Sequence, residues 1–579
     1  KEFFVLNKKI INRDVPDGIN LPDSIHPVLK RIYASRNIKS SEDLDYSLGS
    51  LIPYEELGGI DDAVILLQEM ITQKKRILIV ADFDADGATS CALAIRGLTA
   101  MGAEDVIYVV PNRFEHGYGL SPKIVDVALD HDPDLIVTVD NGISSISGVE
   151  HAKKNGIKVL ITDHHLPGDK LPSADVIVNP QLKENKFPSK NLAGVGVIFY
   201  ILLALRAKLK AENWFDEKNI KYPNLANLLD LVALGTISDL VPLDKNNRTM
   251  VAHGLKLMRK NKSKAGILAI LNQSGRQLST LTSGDLSFAI APRLNAAGRL
   301  TDMSLGIECL LTDDKENATE MAKKLNQLNI ERRQIQDNME EQAFTEFEKY
   351  LQDTSKKIPH GICIYNQNWH QGVVGILAAK IKEKFNRPVI VFAQECQGIL
   401  KGSARSITEL HIKDVFDEIA RLYPELILTF GGHAMAAGLT IEESQFDRFS
   451  DAFNKVVDRY ISSDSLEDQC LTDGELSGDD FSLPLALAIQ NAGPWGQSFP
   501  EPIFVGQFKI LDKRVVGESH LKLKLQSRNN NTLDAIAFNM TDDDWPSKLE
   551  QITSTYRLGI NNYRGHSQVQ LFIEHIEPF

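Results

Sequence analysis

The chain has 579 residues, 43% of them hydrophobic, and a formal net charge of −13. Such a length can bury several cores, about three or four domains' worth, and no apolar run approaches the roughly 18 residues a membrane-spanning helix needs. The acidic balance argues against a uniformly basic nucleic-acid binder and leaves room for a local basic track.

The segment 1–50 carries Pro16, Pro22 and Pro27 among charged residues and reads as an N-terminal extension. No cleavable apolar leader is evident there, so a cytoplasmic protein is expected. A metal lobe is expected over 51–312. Its first signal is the apolar run Ile77–Val80, followed by Asp82-Phe83-Asp84-Ala85-Asp86-Gly87 and the helix-like Cys91–Ile95. Carboxylates this close raise one another's pKa unless cations neutralise them, and an oxygen-rich site suits Mg2+ or Mn2+ better than zinc. A calcium loop would need Glu at its twelfth position, where Leu93 stands. An aspartyl-nucleophile phosphatase would prefer Thr where Ala88 stands. At this point that phosphatase and a solvated acidic turn both stay open.

The next apolar runs end in further ligand-type residues. Leu135–Val139 is closed by Asp140, and Lys158–Thr162 delivers Asp163-His164-His165, with helical patterns at 122–130 and 144–154 between the strands. Alternating strands and helices predict an α/β fold with a parallel sheet, whose ligands gather outside the carboxyl ends of the strands. The helical run Leu228–Ile237 adds Asp239.

From Lys315 to Ile358 there is no Gly or Pro and the apolar positions keep helical spacing, so 313–358 is expected as one long connecting helix. A second, smaller α/β lobe is expected over 359–467. The stretch 468–579 alternates at period two and suggests a small β-barrel of the OB type, which holds single strands in a basic groove with aromatic stacking. Leu521-Lys522-Leu523-Lys524-Leu525 puts leucines inside and Lys522 and Lys524 outside, although an edge strand guarded by lysines reads the same way. The five cysteines are scattered without C-x-x-C spacing, which argues for reduced thiols.

Taken in order, DFDADG (82–87), VDNGISS (139–145), TDHH (162–165), LVALGTISDLVPL (231–243), PRLNAAGRL (292–300), NWHQGVVGILA (368–378), GSARSI (402–407), GGHAMAAG (431–438) and YRLGINNYRG (556–565) resemble the DHH phosphoesterases, and within them the RecJ single-strand-specific DNA exonucleases. The resemblance runs over nearly the whole chain. It implies 5′-to-3′ hydrolysis of single-stranded DNA to 5′-mononucleotides, in DNA repair and recombination, with two divalent cations, Mn2+ or Mg2+, clamping the phosphodiester. His164 and Asp239 resemble the family's ligands. By chemistry Asp140, on the central strand, is expected to bridge the metals, and Asp84 and Asp86 to take one metal each. Asp82 either binds metal or orients a ligand, and His165 either contacts the scissile phosphate or supports a ligand. Phosphate-holding candidates are Arg113, one of Arg293 and Arg299, and Ser403, Arg405 and His433 in the second lobe. The expected partners are single-stranded DNA, single-strand-binding protein and a repair helicase, and the expected state is a monomer. A small-substrate DHH phosphodiesterase, acting on oligoribonucleotides or cyclic dinucleotides, is the alternative, although it needs neither the barrel nor the long helix.

Overall fold

The computed structural model describes residues 8–112, 117–352, 358–461, 468–517, 520–540, 549–563 and 566–579, with the side chains of 346–352 and 563 left aside. After β1 (Lys9–Asn12), five strands form a parallel sheet: β2 (Ile77–Ala81), β3 (Val106–Val109), β4 (Leu135–Val139), β5 (Lys158–Thr162) and β6 (Val176–Val178). Every residue of β2 and β4 is buried, which is why both read as unbroken apolar runs. The strand order is β3-β2-β4-β5-β6. The chain therefore leaves β2 toward one side and returns on the other, opening a crevice at the carboxyl ends of β2 and β4.

The helix Lys315–Gln352 has 38 residues and is therefore about 57 Å long at roughly 1.5 Å per residue. Residues 353–357 of the expected helix are not described, and Ile358, its expected last residue, is outside the helix. Pro359 follows it and disfavours helical backbone at the preceding residue. The second lobe contains β7 (Ile362–Tyr365), β8 (Val389–Cys396), β9 (Ile399–Arg405), β10 (Thr429–Gly432) and β11 (Ala436–Glu442), in the order β10-β11-β9-β8-β7. Then β12 (Gln469–Thr472) precedes β13 (Phe504–Val516), β14 (His520–Ser527), β15 (Thr532–Ala537), β16 (Gln551–Tyr563) and β17 (His566–Pro578). These last five close a barrel in the order β13-β14-β15-β17-β16. Leu521, Leu523 and Leu525 fill its interior. Because β14 lies between β13 and β15, the guarded-edge reading of its lysines does not hold.

The N-terminal segment is built into the body of the protein. β1 pairs in parallel with β12. Arg36 meets Asp473 at 2.6 Å, with both side chains 1% exposed; it also donates to the Pro500 carbonyl and lies 5.5 Å from the Trp495 ring centroid. One apolar core runs from Ile79, Leu93 and Val139 through Trp495 and Phe499 to Phe504 and Leu523, so the metal lobe and barrel share an interior. The second lobe has its own core around Phe392, Phe416 and Phe449, and Met339 and Ala343 of the long helix pack with Trp369 and Val391.

Removing one member of a buried ion pair strands the other charge in a dry interior. Arg36→Ala is therefore expected to destabilise the protein by about 3 to 5 kcal/mol in denaturant unfolding. A loss below about 1 kcal/mol, the range of an exposed pair, would show that the clamp is solvated.

Candidate metal centre

Local sequence fixes each carboxylate before any cation is considered. Asp84 caps the helix Ala85–Ala100, its side chain accepting from the Asp86 and Gly87 amides at 2.9 and 3.0 Å, as helix N-caps do. Asp86, in the first turn of that helix, is buried and aimed at the start of another helix, Gly194–Ala211, accepting from the Gly194 and Val195 amides at 2.7 and 3.1 Å. The positive end of that helix dipole favours the charge. Asp82 Oδ1 accepts from the Phe83 amide at 2.7 Å. Asp140 ends β4 with positive φ, a left-handed conformation unusual outside glycine. Asp239 follows the buried helix Leu229–Ser238.

Two glycines admit these carboxylates. A Cβ on Gly194 would lie 2.6 Å from Asp140 Cβ, and one on Gly235 would lie 2.5 Å from Asp86 Oδ1. Neither site has volume for a methyl group.

The side chains converge. Asp82, Asp84 and Asp140 bring ligand atoms within 4.8 Å of one another, as do Asp86, His164 and Asp239, and also Asp140, His164 and His165. His164 Nε2 is 3.0 Å from Asp140 Oδ1 and 3.4 Å from Asp239 Oδ2. These are not ordinary ion pairs. Burial and the charge of His165 hold the His164 pKa down at about 3, so its ring is neutral, and neither Asp140 Oδ1 nor His164 Nε2 has a hydrogen-bond partner. Two buried polar atoms 3.0 Å apart, each left without a hydrogen-bond partner, suit a shared cation. Burial, then the neighbouring carboxylates Asp86 and Asp84, push Asp140 and Asp239 well above the usual carboxylate range; burial and Asp84 push Asp86 up to about 7.

Asp163 plays a part that the sequence reading did not assign. It is buried, accepts from the Ile143, His164 and His165 amides, and bonds His165 Nδ1 at 2.7 Å. Burial pushes its pKa up, yet the His165 hydrogen bond and charge outweigh that and leave it lowered. The same bond, against the effect of burial, lifts His165 to about 9, so His165 presents a cation beside the carboxylates. Its motif position next to His164 was the only sequence signal for Asp163. Asn295 was also missed; its side chain accepts from the Ala85 amide at 2.8 Å and braces the acidic loop.

Across the cleft His433 of the second lobe stacks on His165, ring centroids 6.5 Å apart and 12° from parallel. Ser403 and Arg405 meet the helix Val374–Phe385 near its start, where a Cβ on Gly375 would lie 3.0 Å from Ser403 Oγ and 3.1 Å from Arg405 Nη2. Gly372 approaches the Arg299 carbonyl, so the two lobes touch beside this pocket. Arg293 donates to Asn326 and to the Ala289 carbonyl, which ties it to the long helix. Arg113 lies outside the described residues. On the barrel Lys524 is exposed but flanked in register by Asp512 and Asp534, and Lys522 is 3.5 Å from Asp534. Phe504, Phe508 and Tyr556 are core residues, whereas Phe538 is 53% exposed and stacks on Phe572.

A parallel sheet carrying an aspartate-rich, histidine-containing centre at its switch point, faced by a second lobe, is the layout of a DHH-type phosphoesterase. The model described as the DHH family N-terminal domain matches residues 76–236, the DHHA1 domain 359–459 and the RecJ OB domain 472–575. The single-stranded-DNA-specific exonuclease RecJ of Salmonella typhimurium is 48% identical over 573 residues, 99% of each chain, and that of Escherichia coli is 48% identical over 568 residues, 98% of each. The crystal structure of RecJ in complex with Mn2+ from Thermus thermophilus superposes with a TM-score of 0.78 at 28% identity, covering 98% of this chain and 79% of that one. A Mg2+ complex of the same protein gives 0.72 at 26% identity, covering 98% and 78%. The chain belongs to the RecJ family. Among the described residues no helix is long and apolar enough to cross a membrane.

The sign of the Asp86 shift sets a stability test. A carboxyl raised from 3.8 to about 7 in the folded protein favours folding while it is protonated, and that contribution is lost as pH rises through this window. Metal-free protein should therefore melt at progressively lower temperature across the window. Asp86→Asn should flatten that slope, and Mn2+, which binds the ionised carboxylates, should reverse it. An Asp86→Asn profile parallel to wild type would refute this account.

Proposed function

We propose that the chain is a single-stranded-DNA-specific exonuclease that hydrolyses phosphodiesters with two divalent cations, Mn2+ or Mg2+, and works from the 5′ end to release 5′-mononucleotides. The observation that carries the reading is the unpartnered Asp140–His164 contact within a crowd of carboxylates, in a chain 48% identical to named RecJ exonucleases over almost its full length. When bound, the cations supply Lewis-acid stabilisation to the phosphodiester and activate the attacking water. The protein's residues do the rest. Asp84 with Asp140, and Asp86 with Asp239 and His164, would hold the two cations, with Asp140 the ligand suited to serve both. Asp82 supports the first set. His165, kept charged by Asp163, faces the space where a scissile phosphate would carry negative charge.

The second lobe supplies the end-reader. Arg405 Nη1 donates to Ser403 Oγ at 3.2 Å and to the Ala404 carbonyl at 2.8 Å. These bonds orient its guanidinium beside a helix N-terminus, a setting suited to a terminal phosphate. His433 lies between that pocket and the metal centre, and Arg299 serves the backbone nearer the metals. The barrel, through Lys522, Lys524 and the exposed Phe538, holds the strand farther along. The domain limits that go with this division of labour are 1–50, 51–312, 313–358, 359–467 and 468–579. A cytoplasmic monomer acting in repair and recombination with single-strand-binding protein and a helicase completes the reading.

Asp140→Ala is expected to abolish hydrolysis of end-labelled single-stranded DNA while circular dichroism stays native, because several kcal/mol of transition-state stabilisation depend on it. Retention of a tenth of wild-type kcat with either metal would exclude a central role for Asp140. Arg405→Ala should raise KM for a 5′-phosphorylated strand and shrink its advantage over a 5′-hydroxyl strand by about 1.5 to 3 kcal/mol, the worth of a charge-assisted contact. An unchanged phosphate preference would move the end pocket elsewhere.

A further inference from the structure

Two large apolar side chains stand exposed on the metal lobe, one of them directly after Asp239. Phe288 is 73% exposed and Leu240 62% exposed, and both line one cavity of about 300 Å³ between the metal lobe and the segment that leads into the barrel. Each is presented by unusual backbone. Leu240 directly follows Asp239 and has positive φ, in the left-handed region. Phe288 sits in the middle of a π-helical turn, Leu286–Ile290, that runs into the helix Ala291–Leu300. Local strain and π-turns persist where the surrounding structure holds them, and they cluster at functional sites.

The surroundings are cationic. Arg293 donates to the carbonyl of Ala289, the neighbour of Phe288, and to Asn326 on the long helix; Arg333 lies two turns beyond Asn326 on the same face and is exposed. Arg276, 51% exposed, is held 3.3 Å from Asp285 at the start of the turn. Burial, then Arg333 and Arg276, lower the pKa of Arg293, so these cations lie near enough to repel one another. Glu501 also lines the cavity but is tied to Arg557 at 2.9 Å. The helix Ala291–Leu300 links this patch to the catalytic loop, since a Cβ on its Gly298 would touch the Phe83 carbonyl. From Gly298 back to Phe288 is about 15 Å at helical rise, so Phe288 is set back from the acidic loop that Gly298 touches.

We propose that this π-turn and its arginines form a second strand-holding site, in which the face of Phe288, with Leu240 beside it, receives a base on the 3′ side of the bond being cut, and Arg276 and Arg333 hold the backbone of the same stretch. The site rests on the single-strand exonuclease reading above and extends it. Exposed aromatic surface on a turn whose neighbours include Arg276, Arg293 and Arg333 suits a flexible polyanion with flat bases, and Leu240, next to Asp239, joins the patch to the metal centre.

The test uses the full chain with Mn2+ and two 5′-phosphorylated substrates, a dinucleotide and a long single strand. Phe288→Ala should lower kcat/KM on the long strand about tenfold more than on the dinucleotide, the scale of one lost base stack, and the difference should lie in KM. Phe288→Trp should restore the long-strand value, which a merely structural role for an exposed ring would not require. Arg333→Gln should reduce the salt slope of long-strand binding by about 0.7, one phosphate contact on a single strand. Equal losses on both substrates, or an unaltered salt slope, would overturn the site. A wild-type chain that cut the dinucleotide and ignored the long strand would instead sink the exonuclease reading itself, so the two failures are distinguishable.

Discussion

Like charges held in a dry place govern this structure. Asp86, Asp140 and Asp239 are pressed together beneath two lobes, and water cannot screen them there. Protons or cations must settle the repulsion, and the protein arranges for cations. Each carboxylate is pinned by contacts that have nothing to do with metal: a helix cap for Asp84, a helix N-terminus for Asp86, a left-handed strand end for Asp140. Folding meets the cost of gathering the ligands, and a cation then finds them already in position.

The histidines show the same division between what binds and what arranges. Both amides and the His165 ring turn on one buried carboxylate, Asp163, while burial and the charge of His165 act on the His164 ring in the opposite direction. His164 stays neutral and turns toward the carboxylates, whereas His165 is charged and faces His433. Adjacent identical residues thus acquire different chemistry from their hydrogen bonds and burial.

Much of this was legible in the chain because strand ends and helix starts carry local marks. The runs before Asp82, Asp140 and Asp163 showed their burial directly, and the parallel sheet followed from their alternation with helices. What stayed hidden depended on partners distant in sequence. Nothing near Asp86 announces that Gly194 and Val195 will cap it, and nothing near Gly235 announces the carboxylate that occupies its missing side chain. The partner of Arg293, Asn326, belongs to another helix and could not be read from the turn that carries both Arg293 and Arg299. Nothing near Lys522 and Lys524 announces that Asp534 will face them from the adjoining strand. The prolines near the N-terminus suggested an extension, while the pairing of β1 with β12 and the Arg36–Asp473 clamp join residues too far apart in sequence to be read from either segment.

The separate interior of the second lobe has a mechanical meaning. The metal lobe and barrel are one body, sharing apolar side chains across their boundary, and the second lobe meets the metal centre through surface contacts such as His433 on His165 and Gly372 on the Arg299 carbonyl. Its distance from the catalytic carboxylates can change without opening any core. A catalyst that repeats the same cut along one polymer must loosen its hold after every round and then tighten it on a shortened substrate. Here one lobe can shift against the other while the body that carries the carboxylates keeps its shape.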